Sequence, residues 1–246
     1  MLKAYSRSDI GLVRKSNEDA CRSGVFSEHA GWAVVCDGMG GVNGGNVASS
    51  VAVEKISAFL LSGYHEGMDG PAVRELMASA VARANGAVHR IAGSDSTLTG
   101  MGTTVVAAVV CGGKVHVAHA GDSRAYLISS DGIRQLTTDH SMVQEMVEKG
   151  DITAQQAKTH PQKNIITRAL GVEPSVRVDY SETPFPPGSR LLICTDGLTN
   201  YLDSDQIFSL ASKLNGDQLT EQLIARAKSA GGGDNITVVV LEDEAA

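Results

Sequence analysis

The chain is predicted to be an α+β protein: a four-layer α-β-β-α sandwich of two antiparallel sheets packed face to face, with a helix pair outside each. Three observations predict it. The elements run strands, two helices, many strands, two helices, one strand, an order that does not alternate βαβα and so argues against a doubly wound parallel sheet. Hydrophobic residues make up 42% of the 246 positions but aromatics only 4%, so Ala, Val, Leu and Ile must fill a full core. Short acidic clusters sit beside glycines at the ends of apolar runs, where a sheet would present them on a rigid frame.

The region 1–41 reads as strands with turns. Over 45–62, Val47, Val51, Ala52, Ile56, Phe59 and Leu60 recur at helical spacing. A stronger helix spans 71–92: Val73, Leu76, Met77, Ala80, Val81, Ala84, Val88 and Ile91 form one face, and Pro71 suits its first turn. Strands follow at Thr103 to Cys111, Lys114 to Ala120 and Arg124 to Ser129, with Gly112-Gly113 as a hairpin turn and Ser130-Asp131-Gly132 as another turn. Residues 141–158 look helical but polar, and 159–171 carry proline, glycine and mixed charge, so this stretch is expected to be a small mobile excursion over the surface. A strand at about 175–181 precedes the turn Pro184 to Gly188. A strand at 190–194, helices near 204–213 and 217–229, and a final strand from Ile236 to Leu241 complete the chain.

Composition excludes several functions. The net charge is −7 with both signs interspersed, and no basic stripe of a nucleic-acid binder is visible. No apolar run approaches the ~18 residues of a membrane span. The N-terminus lacks an apolar signal core. Cys21, Cys36, Cys111 and Cys194 form no CxxC pair and read as free, mostly buried thiols of a reducing compartment. A cytoplasmic protein is expected.

The acidic clusters are Arg14-Lys15-Ser16-Asn17-Glu18-Asp19, Asp37-Gly38-Met39-Gly40-Gly41, Gly121-Asp122-Ser123-Arg124, Thr195-Asp196-Gly197 and Gly233-Asp234-Asn235. Taken singly, each reads as a turn or a solvated charge; their joint occurrence is what points to a site. Carboxylates gathered in one place repel unless cations neutralise them. With no His or Cys at ligand spacing, the donor set suits Mg²⁺ or Mn²⁺ rather than zinc. Two ions about 3.5–4 Å apart could share one carboxylate and activate a water. Arg14 is the natural phosphate clamp, because its planar fork matches phosphate oxygens. A dinucleotide-binding loop fits poorly, since Asn43 stands where the third glycine of G-x-G-x-x-G belongs and Asp37 would oppose a pyrophosphate. No cysteine is followed by an arginine at the spacing of a Cys-x₅-Arg nucleophile loop.

The clusters, in this order and separation, resemble the metal-dependent type 2C protein phosphatases (the PPM family) over essentially the whole chain. Thr137-Thr138-Asp139-His140-Ser141, His160-Pro161 and Asn164 to Gly171 resemble its bacterial branch. The resemblance implies one phosphatase domain across 1–246, with a flap at about 141–171 beside the active site. It implies hydrolysis of phosphoserine and phosphothreonine on proteins by direct attack of a metal-bridging water, without a phosphoenzyme. Asp37 resembles the bridging carboxylate. Asp196 and Asp234 resemble the other ligands of the first ion, and Glu18 with the Gly38 carbonyl those of the second. Asp122 with Asp196 resembles the pair holding a third, weaker ion. Asp19 resembles an acid that orients metal-bound water, and Asn235 a support for the Asp234 loop. Where many eukaryotic members carry a histidine, this chain has Met39, so the acid that protonates the leaving alkoxide is open between a metal-bound water and His140; His119 reads as structural. The partners implied are phosphoproteins and a eukaryotic-like Ser/Thr kinase, with no nucleic acid and no membrane, and the protein is expected to be a monomer. Two rivals are a catalytically silent module of the same fold and a phosphatase dedicated to one anti-sigma-factor antagonist.

Overall fold

The computed structural model describes residues 1–40 and 44–244. The last glycine of the second acidic cluster, Gly41, lies outside that range. The strands and helices are β1 (Leu2–Asp9), β2 (Asp19–Ser27), β3 (Ala30–Met39), α1 (Gly44–Gly63), α2 (Gly70–Ser94), β4 (Gly102–Thr103), β5 (Val105–Cys111), β6 (Lys114–Ala120), β7 (Arg124–Ser129), β8 (Gly132–Gln135), α3 (Met142–Lys149), α4 (Ala154–Ala157), β9 (Asp179–Pro184), β10 (Arg190–Cys194), α5 (Asp196–Thr199), α6 (Ser204–Ala211), α7 (Gly216–Ser229) and β11 (Ile236–Asp243).

One sheet has the order β1-β11-β10-β7-β8 and the other β2-β3-β5-β6-β9, with β4 paired to the end of β3. The pairings between these strands are antiparallel. Both sheet faces are buried, which is why these strands read as nearly unbroken apolar runs. Along β3, Ala33 and Val35 face the other sheet and pack with Val106 of their own sheet and with Leu191, Ile193 and Val239 of the other. Trp32, Val34 and Cys36 point the opposite way, into a layer filled by Ile56 and Leu60 of α1 and Met77 and Val81 of α2. On the far side, Leu192, Cys194 and Val238 meet Ile207 of α6 and Leu219 and Leu223 of α7. The four-layer sandwich of the sequence reading is therefore present. All four cysteines are free, and Cys36, Cys111 and Cys194 are buried.

Local chemistry sets the boundaries. Asp69 caps α2 by accepting from the Ala72 amide at 2.9 Å, with a proline in the first turn. Four expectations need correction. The polar helix over 141–158 is two short helices, because Gly150 ends α3 in the left-handed region at φ 79°. The strand expected at 175–181 begins only at Asp179, where pairing with His119 of β6 starts. Residues Gly132–Gln135 after the third turn form an edge strand that periodicity did not reveal. The flap is also anchored where it returns: Thr103 bridges Leu170, which is fully buried in the α1–α2 layer, while Ser141 bridges Ile166 within the flap itself. Burying a leucine contributes about 1.5–3 kcal/mol, so the return of the flap is tied firmly to the body.

Candidate active site

The acidic residues come from ends of different strands that the two sheets bring to one edge of the sandwich. Asp37 lies near the end of β3, directly opposite Asp19 at the start of β2. Asp122 sits in the β6–β7 turn, Asp196 opens α5 immediately after β10, and Asp234 precedes β11. Arg14, Glu18, Asp37, Gly38, Asp122, Asp196 and Asp234 line one cavity of about 420 Å³. Met39, Thr104 and, from the flap, Asn164 and Ile166 complete its wall. A neighbouring cavity of about 440 Å³ between the flap and α5–α6 shares Asp122 and Asp196 with it.

The frame around these acids is tightly specified. Asp37 N–H donates to Thr104 Oγ1 at 2.9 Å, and the Asp37 carbonyl accepts from the Thr104 amide and the Thr103 hydroxyl, both at 2.8 Å. A Cβ on Gly38 would come within 2.0 Å of the Gly45 carbonyl oxygen, so only glycine lets this strand end run against α1. Asn235 stitches the two outer loops: its Oδ1 accepts from Glu18 N–H at 2.8 Å, and its Nδ2 donates to the carbonyls of Ile10 and Ser16, each at 3.0 Å. Asp19 lies buried behind the cavity, receiving the Thr195 hydroxyl at 2.9 Å on Oδ2, while its Oδ1 has no hydrogen-bond partner. Arg14 Nη2 donates to Asp234 Oδ2 at 2.8 Å. Asn200 Nδ2 donates to Asp196 Oδ2 at 3.0 Å, and its Oδ1 accepts from Lys163 Nζ at 3.1 Å.

The electrostatics follow from burial and crowding. Burial pushes the Asp37 carboxyl well above the ordinary carboxylate range, reinforced by Asp19, Asp196, Asp122 and Asp234. Burial likewise raises Asp19 and Asp122 to about 7, with the Asp196 charge adding to both. Asp196 is raised by burial and then by Asp234, and Glu18 by burial. The oxygen-only donor set and the unpartnered, buried Asp19 Oδ1 fit hard divalent ions.

Sequence reasoning missed Thr104, Thr195 and Asn200. The threonines sit inside or beside apolar runs, and Asn200 in a short helical turn, where nothing marks a side chain as a partner of a distant acid. His140 is absent from the cavity wall, and both its ring nitrogens are engaged elsewhere: Nδ1 accepts from the Gly121 amide and Nε2 faces Asp179.

A double antiparallel sandwich with an acid-lined, oxygen-donor cavity at the sheet ends defines the class of the metal-dependent protein phosphatases. The pattern described as Protein phosphatase 2C matches residues 13–227. The serine/threonine phosphatase stp of Listeria innocua is 39% identical over 247 residues, covering 98% of this chain and 96% of the relative. The protein phosphatase PhpP of Streptococcus pneumoniae is 34% identical, covering 95% and 94%. Among solved structures, the S. agalactiae serine/threonine phosphatase superposes with a TM-score of 0.91 at 31% identity, covering 99% of this chain and 100% of that one. The catalytic domain of the serine/threonine protein phosphatase PstP, solved with 2 manganese ions, superposes with a TM-score of 0.87 at 32% identity, covering 98% and 97%. The chain belongs to the protein phosphatase 2C family and is a protein phosphatase of the bacterial PPM type. Its substrates are accordingly phosphoproteins. No helix among the described residues is long and apolar enough to cross a membrane.

Proposed function

We propose that this protein removes phosphate from phosphoserine and phosphothreonine, opposes a eukaryotic-like Ser/Thr kinase, and works as a cytoplasmic monomer with a single catalytic domain. The reading rests on one observation: acids from distant parts of the chain line a single cavity with carboxyl groups raised by burial and mutual repulsion. Such an arrangement is stable at neutral pH when divalent cations replace the protons. Asp37, Asp196, Asp234, Glu18 and the Gly38 carbonyl would hold a pair of divalent ions, Mn²⁺ or Mg²⁺, with Asp37 shared between them, and Asp122 with Asp196 would hold a third ion more weakly. When bound, the ions neutralise phosphoryl charge and lower the pKa of the attacking water.

The chain's own groups do the rest. Arg14 exchanges its bond to Asp234 for the phosphate oxygens, presenting two parallel donors to the transferring group. Asp19, held by Thr195, orients the nucleophile from behind through its free Oδ1. Asn235 keeps the Glu18 and Asp234 loops in register. Asn164 and Ile166 place the flap against the mouth of the cavity, where it meets residues flanking the phosphosite.

The test is hydrolysis of a phosphothreonine peptide across a titration of Mn²⁺ and of Mg²⁺, with calorimetry to count tightly held ions. Activity should appear with metal and vanish in excess chelator. Full turnover in excess chelator, with no retained metal, would refute the metal-dependent mechanism.

A further inference from the structure

The buried His119 and His140 and the half-exposed Asp179 form a cluster outside the acid-lined cavity, with ligand-type atoms close enough to share a metal ion. The geometry speaks against one. Arg168 Nη1 stands 2.9 Å from His140 Nε2 and 3.0 Å from Asp179 Oδ1, so a permanent positive charge already fills that space. His119 Nε2 donates to the Thr138 carbonyl at 2.9 Å. The two rings stack at 4.7 Å with planes 8° apart, so their in-plane lone pairs run parallel instead of converging.

What the cluster holds is the turn that carries Asp122. The Gly121 amide donates to His140 Nδ1 at 3.1 Å, and the His140 amide donates to the Gly121 carbonyl at 2.9 Å. One residue therefore satisfies both backbone polar groups of the glycine preceding Asp122. Because Nδ1 accepts, the ring proton resides on Nε2. Nε2 then donates to Asp179 Oδ2 at 3.1 Å, and Arg168, itself a donor, bonds the other carboxylate oxygen instead of the ring. Burial also shifts the His140 ring below the ordinary histidine value.

Gly121 has φ +109°, and a Cβ there would lie 2.6 Å from the Thr104 side chain. The turn is thus seated on the same threonine that receives the Asp37 amide. The His140 carbonyl accepts the Thr167 amide of the returning flap at 2.8 Å.

We propose that His140, with its tautomer set by Asp179, is a positioning residue for Asp122: it fixes the Gly121 backbone, and through it the direction of the Asp122 carboxylate, and ties both to the return of the flap. This rests on Asp122 being an ion ligand as read above. Outer partners that hold a metal ligand in its orientation are typically worth about 10–100-fold in metal affinity.

The experiment compares His140→Leu, His140→Asn and Asp179→Asn with the unaltered protein. For p-nitrophenyl phosphate, the Mn²⁺ concentration giving half-maximal rate should rise about tenfold in His140→Leu and Asp179→Asn. It should rise less in His140→Asn, whose amide oxygen can replace Nδ1 as acceptor for Gly121. The number and affinity of the tightly bound ions measured by calorimetry should stay the same. Independently, ¹⁵N spectra of the metal-free, unaltered protein should show His140 protonated on Nε2 and bare at Nδ1, and Asp179→Asn should mix the tautomers and shift the Gly121 amide. An unchanged Mn²⁺ midpoint in folded His140→Leu, or an Nδ1-protonated ring, would overturn the proposal. Should His140→Leu not fold, Asp179→Asn and the spectra decide. Chelator-resistant turnover by the unaltered protein would instead sink the metal reading, and the spectra would still judge the His140–Gly121 bond.

Discussion

The acid-lined edge of the sandwich and the flap over it are built on opposite terms. Each acid of the cavity is attached to a strand or helix whose apolar faces are sealed in one of three core layers. The flap helices hold almost nothing in the core: α3 buries only Val143, and α4 buries no residue. Its connections to the body are the Thr103–Leu170 bridge at its return and the polar contacts of Lys163 with Asn200 and Arg168 with Asp179. Fixing several mutually repelling carboxylates to ångström tolerance requires a frame that cannot relax, whereas choosing among protein substrates requires a surface that can move and change cheaply.

The largest effects should therefore fall on the rigid edge. Asp37→Ala, Asp196→Ala and Asp234→Ala should each lower kcat by about a thousandfold or more, because several kcal/mol of charge stabilisation in the transition state disappear. The metal-free variants should melt at or slightly above the temperature of the unaltered protein, since each removes a repelling carboxyl. Near-normal kcat at saturating metal in any one of them would break the assignment of that residue.

Next in size is Arg14. Its alanine variant should raise KM by about tenfold with a smaller loss of kcat, as expected for a clamp that holds phosphate in both ground and transition states. Asp122→Ala should alter the Mn²⁺ response and reduce kcat while two ions remain tightly bound. Calorimetry that finds one tight ion fewer would move Asp122 into the tightly bound pair.

A third effect concerns pH. In the metal-free protein Asp19 and Asp122 titrate near 7, against an ordinary value of 3.8. A raised folded value means the native state holds its protons more strongly than the unfolded chain. The associated stability is complete below pH 3.8 and lost as pH rises through about 7. The metal-free protein should accordingly melt several degrees higher at pH 5.5 than at pH 8, and saturating Mn²⁺ should flatten that dependence. A metal-free melting temperature that climbs from pH 5.5 to pH 8 would contradict the protonated cluster.

The smallest effects belong to the flap. Replacing the exposed Glu148, Lys149 or Lys158 should change rates on phosphoproteins a few-fold and leave p-nitrophenyl phosphate turnover unaltered, because that substrate is too small to reach them. Lys163 and Arg168 are different, since they bond Asn200 and Asp179 and connect the flap to the site. Equal losses on both substrates for the exposed residues would erase the distinction between edge and flap.

The fold class and the acids that line the cavity were legible in the sequence for a common physical reason. Buried strands need long apolar runs, and acids placed by such strands must follow directly on those runs, as Asp37 follows Cys36 and Asp196 follows Thr195. The helix pairs were legible from their 3.6-residue periodicity. The edge strand β8 was not, because a strand with one free edge and half-exposed side chains carries no alternation strong enough to detect. The break at Gly150 was hidden because a single glycine within a polar helix pattern is ambiguous without its cap geometry.

By itself the sequence determined which residues carry charge to the ends of apolar strands, and hence the chemistry of an oxygen-donor metal site and the family. Only the tertiary structure decided who holds them in place. Thr104 under Asp37, Thr195 beside Asp19, Asn200 on Asp196 and His140 against Gly121 join residues far apart in the chain. Such contacts leave no periodic trace, because a hydrogen bond across 176 positions between Thr195 and Asp19 depends on how two sheets stack, not on what lies next to either residue.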